Sequence, residues 1–455
     1  MTKGLVVLLM SAVAVGSVAA PPKGRKLPES AYIKTAKIEF SYHTKERNAN
    51  AVYMLDSLFM HYGPHSEGLY LMCLIQDDYA KTTADLKAKR EPISKLVAYR
   101  DSLRIACASK EVKAKYKGDC DKASVIDSLI VLNWRNLYND GVGQLNRIEE
   151  DLKAKESESD STTIAFYQKK IDAQMDSCID NMTLAVILDS TNYLPYVALG
   201  TVYEYKGDNE SGVKWLTKAM VNAKERDKLA SEVAYSYIRS GKYCEAAPYL
   251  RESMVNAPKD TTLVVTLYNL AACFNNCRQY DSAVAVYREL LAIAPANGDA
   301  LVGMGRYYNQ IGRTATDSVR AADEAKNTEA AKRWTDARNS AFDSSYVYFK
   351  RAFDASPKDV DAAGQYGLIA YIRNDFKEAL AAFTRLTELE PQNAEHFTSV
   401  GDCYLNLKDW KNAAGAYEKV VALEPDNKQI WQRLADLYQQ LGMKDKQALA
   451  EAKGK

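Results

Sequence analysis

The C-terminal half of the chain repeats its pattern of small, apolar and polar positions every 34 residues. Gly367, Gly401 and Ala435 fall at one position of this repeat, and Pro391 and Pro425 fall at another. Apolar residues recur between these positions at the three- and four-residue spacing of a helix face. The pattern therefore predicts a series of short amphipathic helices that repeat as pairs.

Each position of the repeat has a physical reason. A small residue on the first helix allows the second helix to approach closely, and Ala379 and Ala413 do the same from the second helix. We expect the aromatic residues Phe383 and Tyr417 to fill the seam between repeats. Proline ends the second helix because it lacks an N–H donor and restricts the residue before it.

This period and pattern resemble the tetratricopeptide repeat, a helix–turn–helix unit. The resemblance implies an all-α fold, a right-handed superhelical solenoid of such repeats with long helical insertions. We predict that the solenoid covers residues 193–455. Its repeats would be 193–226, 227–260, 264–297, 298–359, 360–393 and 394–427, followed by a C-terminal helix at 428–455.

The repeat at 298–359 has 62 residues, 28 more than the 34 of its neighbours. The extra segment around 312–340 is rich in Ala, Lys, Asp, Glu and Arg and lacks Pro, which indicates helix. Shared between two helices, it would lengthen each by about 14 residues, or roughly 21 Å at 1.5 Å per residue. We expect a projecting helical hairpin that turns near 326–328.

Residues 32–192 match the repeat less well. Residues 32–65 resemble a degenerate repeat, and residues 93–155 indicate long amphipathic helices. A polar linker near 155–161 precedes another helix. We interpret this third of the chain as degenerate repeats with a long helical insertion, and a separate helical domain is the alternative.

The N-terminus is typical of a secretory signal. Lys3 is followed by an apolar stretch too short to span a bilayer and by Ser17-Val18-Ala19, a small-x-small cleavage site. We expect a signal peptide at 1–19, a flexible segment at 20–31 and an exported chain, periplasmic or on the cell surface or secreted. An uncleaved anchor is the alternative.

Charge and composition narrow the class of partner. The chain has 455 residues with 60 Lys and Arg against 59 Asp and Glu, a near balance that disfavours nucleic-acid binding. No later segment reaches 18 apolar residues, so we expect no transmembrane segment in the mature chain. The 30 tyrosines suit half-buried helix surfaces and binding grooves.

The eight cysteines show neither a compact disulfide framework nor a paired zinc signature. An exported chain permits disulfides. Cys107 with Cys120 and Cys244 with Cys277 are the candidate pairs, and free buried thiols are the alternative. We interpret Cys273 as a packing residue.

No catalytic constellation appears among the sequence motifs. G-x-S-x-G, P-loop and H-E-x-x-H patterns are absent from the sequence. His61 and His65 have helical metal-ligand spacing, but Gly63 and Pro64 between them break a helix. We therefore expect no enzyme activity, no metal and no cofactor. Gly141 is interpreted as part of a helix interruption.

The family resemblance implies a peptide-binding groove lined by the first helices of the repeats. The Lys and Asn of a carboxylate clamp are missing at the matching positions, so recognition of a C-terminal carboxylate is disfavoured. The alternative is that several of the groove residues only pack against the next helix. The predicted groove residues are Tyr205, Tyr235, Arg239, Tyr268, Asn275, Asn276, Arg306, Asn309 and Tyr371.

The sequence thus predicts a non-enzymatic scaffold or adaptor that binds a protein or peptide in its concave groove. The bacterial cell envelope is the expected setting. The alternative is a module that binds cell-wall glycans or assists an enzyme, because Tyr and Trp faces can stack on sugars.

Overall fold

The computed structural model describes residues 26–63, 65–110, 113, 117–255, 257–258 and 260–455. All the regular secondary structure in these ranges is helical, which confirms the all-α helical-repeat prediction. The chain divides into two compact units, residues 1–241 and 242–455. The predicted signal peptide at 1–19 lies outside the described residues.

The first unit is built mainly from helix pairs, in which α1 packs on α2, α3 on α4, α6 on α7 and α8 on α9. The first helix begins inside the 20–31 segment that we expected to be flexible. The helices of the first unit are α1 (Glu29–Phe40), α2 (Lys45–Tyr62), α3 (Ser66–Thr82), α4 (Arg90–Ala108), α5 (Lys117–Asp121), α6 (Ala123–Glu156), α7 (Ser161–Leu188), α8 (Leu194–Tyr205), α9 (Asn209–Asn222) and α10 (Arg226–Arg239).

The second unit begins with a single helix and continues as five helix pairs. The last pair corrects the single helix that we expected at 428–455, because Gly442 turns the chain between the two helices. The helices are α11 (Tyr243–Ser253), α12 (Thr261–Asn276), α13 (Tyr280–Ile293), α14 (Gly298–Glu324), α15 (Thr328–Ala355), α16 (Val360–Ile372), α17 (Phe376–Leu389), α18 (Ala394–Asn406), α19 (Trp410–Leu423), α20 (Lys428–Gln440) and α21 (Lys444–Lys453).

The repeated glycine lies against a large side chain of the second helix in its own pair. A Cβ at Gly367 would lie 2.7 Å from the ring of Phe383, and one at Gly401 would lie 2.5 Å from the ring of Tyr417. These rings therefore fill the space that the glycine leaves within the pair, in addition to facing the next repeat. Ala413 on α19 is fully buried at the same contact layer.

Several tight turns between consecutive helices contain one residue in the left-handed region of backbone conformation. Glycine adopts this conformation at low cost, whereas other L-residues are strained there. The residues concerned are Gly207, Gly241, Arg278, Lys326, Asn374, Lys408 and Gly442, with φ between 56° and 77°.

Two helix pairs are much longer than the others. In the second unit, α14 has 27 residues and α15 has 28, and the chain turns between Glu324 and Thr328, where the sequence places the tip of the hairpin. In the first unit, α6 has 34 residues and α7 has 28. The interpretation of Gly141 as part of a helix interruption is wrong, because α6 is continuous through it. A Cβ at Gly141 would lie 2.6 Å from Met182, so this glycine permits close packing on α7.

Both candidate disulfides are formed. Cys107 on α4 is bonded to Cys120 on α5, and Cys244 on α11 is bonded to Cys277 at the end of α12. The free cysteines are buried, and burial raises the pKa of the Cys73 thiol to about 12 and that of Cys273 to about 11. Since the thiolate is the reactive form, these thiols act as packing groups at neutral pH.

Candidate functional site

A cavity of about 460 Å³ opens in the second unit among α12, α13 and α14. This volume lies within the range of ordinary ligand pockets. Three of the predicted groove residues line it, namely Tyr268, Asn275 and Arg306. The other lining residues are Tyr280, Val284, Tyr287, Asp299, Val302, Gly303, Tyr307 and Asp361.

The inner wall of this cavity is fixed by Tyr287. Its ring is 6% exposed, and burial raises the pKa of its hydroxyl. Asn275 donates a hydrogen bond from Nδ2 to the Tyr287 oxygen at 2.8 Å. A Cβ at Gly303 would lie 2.4 Å from the Tyr287 ring, so only glycine lets the ring lie against α14. Asn275 thus holds the wall in place as well as facing the cavity.

Arg306 on α14 supplies the exposed cation of the cavity. Its Nη2 lies 2.7 Å from both carboxylate oxygens of Asp361 on α16. Both side chains remain about half exposed, and such solvated ion pairs contribute little to stability. The guanidinium is therefore accessible to a competing carboxylate or carbonyl at small energetic cost.

Tyrosine side chains form the remaining cavity surface. Tyr268 and Tyr280 are exposed. The Tyr307 hydroxyl donates to Asp281 at 2.9 Å, and this hydrogen bond raises the pKa of Tyr307. Rings presented in this way offer apolar contact area with a polar edge, at low conformational-entropy cost.

A second cavity, of about 560 Å³, continues from the first along α14 and shares Tyr280 and Tyr307 with it. It extends to Ile311 and to Trp334, which lies on α15 within the long hairpin. Trp334 is 36% exposed, with the guanidinium of Arg333 5.4 Å from its ring centroid. We call the two cavities together the α14 groove.

Three predicted groove residues lie in the first unit and are engaged with neighbouring side chains. The Tyr205 hydroxyl donates to Glu149 at 3.0 Å, and Nη2 of Arg239 lies 2.6 Å from Glu204. Tyr235 is half-buried on α10. These contacts fit the alternative that some predicted positions pack against other helices.

The other predicted residues of the second unit do not line the α14 groove. Asn276 donates to the Ala272 carbonyl of its own helix at 2.9 Å. Asn309 is half-buried, and its Oδ1 has no hydrogen-bond partner among the described residues. Tyr371 accepts a hydrogen bond from Asn406 at 3.0 Å.

Sequence reasoning missed the groove residues on α13 and the acidic partner of Arg306. Tyr280 and Tyr287 belong to α13, and Asp361 follows the 28-residue insertion. A signal was present in the sequence, because Tyr280, Tyr287 and Tyr307 recur at seven- and twenty-residue spacing around the predicted groove helices.

The described residues contain neither a candidate metal site nor a candidate membrane-spanning helix. No group of three or more His, Cys, Asp or Glu side chains there is arranged to hold a metal ion. His65 caps α3 by accepting from the Gly68 N–H at 3.2 Å, and its Nε2 lies 2.7 Å from Glu29. None of the helices described is both long and apolar enough to cross a membrane.

The solved structures that match this chain share little of its sequence. MamA from Desulfovibrio magneticus RS-1 is 20% identical over 45% of this chain and 97% of its own, with a TM-score of 0.33. A tetratricopeptide repeat protein from Parabacteroides merdae ATCC 43184 is 18% identical over 58% of this chain and 94% of its own, with a TM-score of 0.35. No curated protein matches the chain.

Family profiles match the second unit. One tetratricopeptide repeat profile matches residues 342–394 and 367–430, and another matches residues 266–301. These ranges include most of α12 and all of α13, which contribute Tyr268, Asn275, Tyr280 and Tyr287 to the groove. The second unit of this chain therefore contains tetratricopeptide repeats over these ranges.

Proposed function

We propose that this chain is a non-enzymatic scaffold that holds a segment of another protein in the α14 groove. The observation that carries the proposal is the grouping of exposed Tyr268 and Tyr280 beside the accessible guanidinium of Arg306. Aromatic and Arg side chains contribute most of the binding energy in protein interfaces.

The bacterial cell envelope is the proposed setting. The support is the N-terminal pattern of Lys3, a short apolar stretch and Ser17-Val18-Ala19. Two disulfides in the chain agree with an oxidising compartment. Mass spectrometry of the cellular protein is expected to find a chain that begins at Ala20, and an intact Met1 would contradict export by cleavage.

The double variant Tyr268→Ala, Arg306→Ala tests the groove. Each truncation at an interface centre costs at least about 2 kcal/mol, so the two together would weaken binding by roughly three orders of magnitude if they added. Neighbouring sites seldom add fully, and the expected result is a large loss. A partner is first captured from envelope extract on the wild-type chain and identified, and its affinity is then measured for both chains.

The matched control is Tyr42→Ala, Arg135→Ala, which truncates an exposed tyrosine and an exposed arginine that both belong to the first unit. It should bind the partner as the wild type does, and circular dichroism should show the same helix content in all three chains. Unchanged affinity in the groove variant would rule out the α14 groove. Co-sedimentation with purified cell wall that depends on Tyr268 would instead favour the glycan-binding alternative.

A further inference from the structure

A separate cavity of about 480 Å³ lies in the first unit among α2, α3 and α4. Helix α3 packs against both α2 and α4 and forms the floor between them. The spacing of the lining residues places one face of each helix on the cavity. These residues are Lys45, Ala49, Val52, Tyr53, Asp56, Gln76, Tyr79, Thr83, Ala88, Glu91, Pro92 and Lys95.

Gln76 on the floor of the cavity is a buried polar side chain without a partner. Its residue is only 4% exposed, yet it lines the cavity. Its side-chain amide makes no hydrogen bond to any residue in the described ranges. The amide therefore reaches the cavity space, where water or an entering ligand can bond to it.

Asp56 on α2 presents a carboxylate to the same cavity. It accepts no hydrogen bond from the described residues. Burial raises its pKa to about 6, and the charge of Lys95 opposes this rise. The second carboxylate of the lining, that of Glu91, already pairs with Lys95 at 2.7 Å. Asp56 is therefore the acidic group whose hydrogen-bonding capacity is still open.

Aliphatic residues line one side of the cavity near Asp56, and the charges of the other lining residues are paired or screened by solvent. Ala49, Val52 and Pro92 supply aliphatic contacts. Lys45 is an exposed residue at the start of α2, where solvent screens its charge. A ligand that reaches Asp56 thus meets one half-buried carboxylate, one amide and an apolar wall.

We propose that this cavity binds a primary ammonium group carried on an apolar stem, with the Asp56 carboxylate and the Gln76 amide oxygen as its acceptors. A free alkylamine and the side chain of a lysine in a polypeptide share this chemistry. The site is independent of the α14 groove, which belongs to the other unit.

The proposal makes binding depend on pH in a defined direction. The charged or titratable groups near Asp56 are Lys45, Glu91, Lys95 and the tyrosines Tyr53, Tyr79 and Tyr99. Asp56 must be ionised to hold a cation, and its pKa near 6 places its titration between pH 5 and 7.5. About one tenth of Asp56 is ionised at pH 5, so binding there should be about tenfold weaker than at pH 7.5.

Isothermal titration calorimetry on the full mature chain tests the site with two probes. These are n-pentylammonium and Nα-acetyl-lysine N-methylamide, and 1-pentanol serves as the neutral isostere. We expect both the Asp56→Asn and the Gln76→Leu variant to weaken n-pentylammonium binding by about tenfold or more. The Asp56→Asn variant should also lose the pH dependence.

Glu46→Gln is the matched control, because Glu46 is an exposed carboxylate on α2 outside the cavity, and it should bind like the wild type. Circular dichroism verifies that each variant is folded. Tighter binding of the lysine derivative identifies a polypeptide side chain as the ligand, and tighter binding of n-pentylammonium identifies a free amine. The proposal is overturned if 1-pentanol binds as well as n-pentylammonium, or if the Asp56→Asn variant binds n-pentylammonium as the wild type does. It is also overturned if binding does not saturate by about 10 mM ligand, because weak specific sites have dissociation constants of roughly 1 mM.

Discussion

The two long helix pairs have similar lengths but different cores. Between α6 and α7 the buried side chains are mostly large, and Ile148, Ile171 and Met175 are almost fully enclosed. Along the extended part of α14 and α15 the buried residues are small. They are Gly312, Ala315, Ala322, Ala331 and Ala341.

Polar contacts differ in the same direction. Asp151 on α6 is buried and accepts hydrogen bonds from Lys170 at 2.8 Å and Gln174 at 2.9 Å on α7. On the α14–α15 pair, Arg320 and Asp317 form an ion pair in which both side chains are 70% exposed. Burial of large apolar groups is the main source of stability. The comparison therefore assigns α6–α7 to the stable body of the first unit and makes the α14–α15 arm the easier of the two to open.

The largest expected effect is a cavity in the α6–α7 core. Ile148→Ala removes a fully buried side chain and should lower the free energy of unfolding by about 2–5 kcal/mol. The corresponding change in the arm, Ala322→Gly, should cost only about 0.5–1 kcal/mol through helix propensity. Urea unfolding followed by circular dichroism measures both. Equal losses would contradict the difference in core type.

A smaller effect is expected from overpacking the arm. A Cβ at Gly312 would lie 2.4 Å from the ring of Phe342, so Gly312→Leu should destabilise the second unit by about 1–3 kcal/mol. Gly143 on α6 has no atom near its virtual Cβ, and Gly143→Ala should stabilise by about 0.5–1 kcal/mol. Thermal melts of the two variants should move in opposite directions. A neutral Gly312→Leu variant would mean that the arm helices are not closely packed.

The smallest effect concerns the two hairpin turns. Lys326 at the tip of the arm has φ 56°, a conformation in which an L-residue is strained, so Lys326→Gly should stabilise by up to about 1 kcal/mol. Ser157 at the end of α6 has φ −84°, and Ser157→Gly should give no gain. Hydrogen exchange at the tip of the arm reports the local change. Slower exchange in both variants would show that backbone strain does not distinguish the turns.

The sequence predicts the pairs from α12 to α19 because each combines a glycine or alanine contact on its first helix with a proline after its second helix. Gly367 with Phe383 and Gly401 with Tyr417 are examples in which both partners carry the signal. The last pair was missed because no proline follows α21 and its turn depends on Gly442 alone. The role of Gly141 was missed because its partner, Met182, is 41 residues away.

The groove is predictable only in part for a related reason. Tyr268, Asn275 and Arg306 lie on first helices, where the repeat register places them on one face. The Arg306 partner, Asp361, lies 55 residues further along the chain, beyond an insertion that disturbs the register. Gln76 and Asp56 carry no repeat signal, and their shared cavity depends on the packing of three helices.

The Cys244–Cys277 bond changes how the second unit can come apart. Repeats contact only their neighbours, so an array of this kind can lose structure one element at a time from an end. The bond joins α11, the first helix of the unit, to the end of α12, one wall of the groove, and it closes a loop of 33 residues. In the chain-entropy treatment such a loop contributes about 4 kcal/mol. Oxidation therefore keeps α11 tied to the end of α12, and reduction removes that tie, so that α11 separates more easily from this wall of the groove.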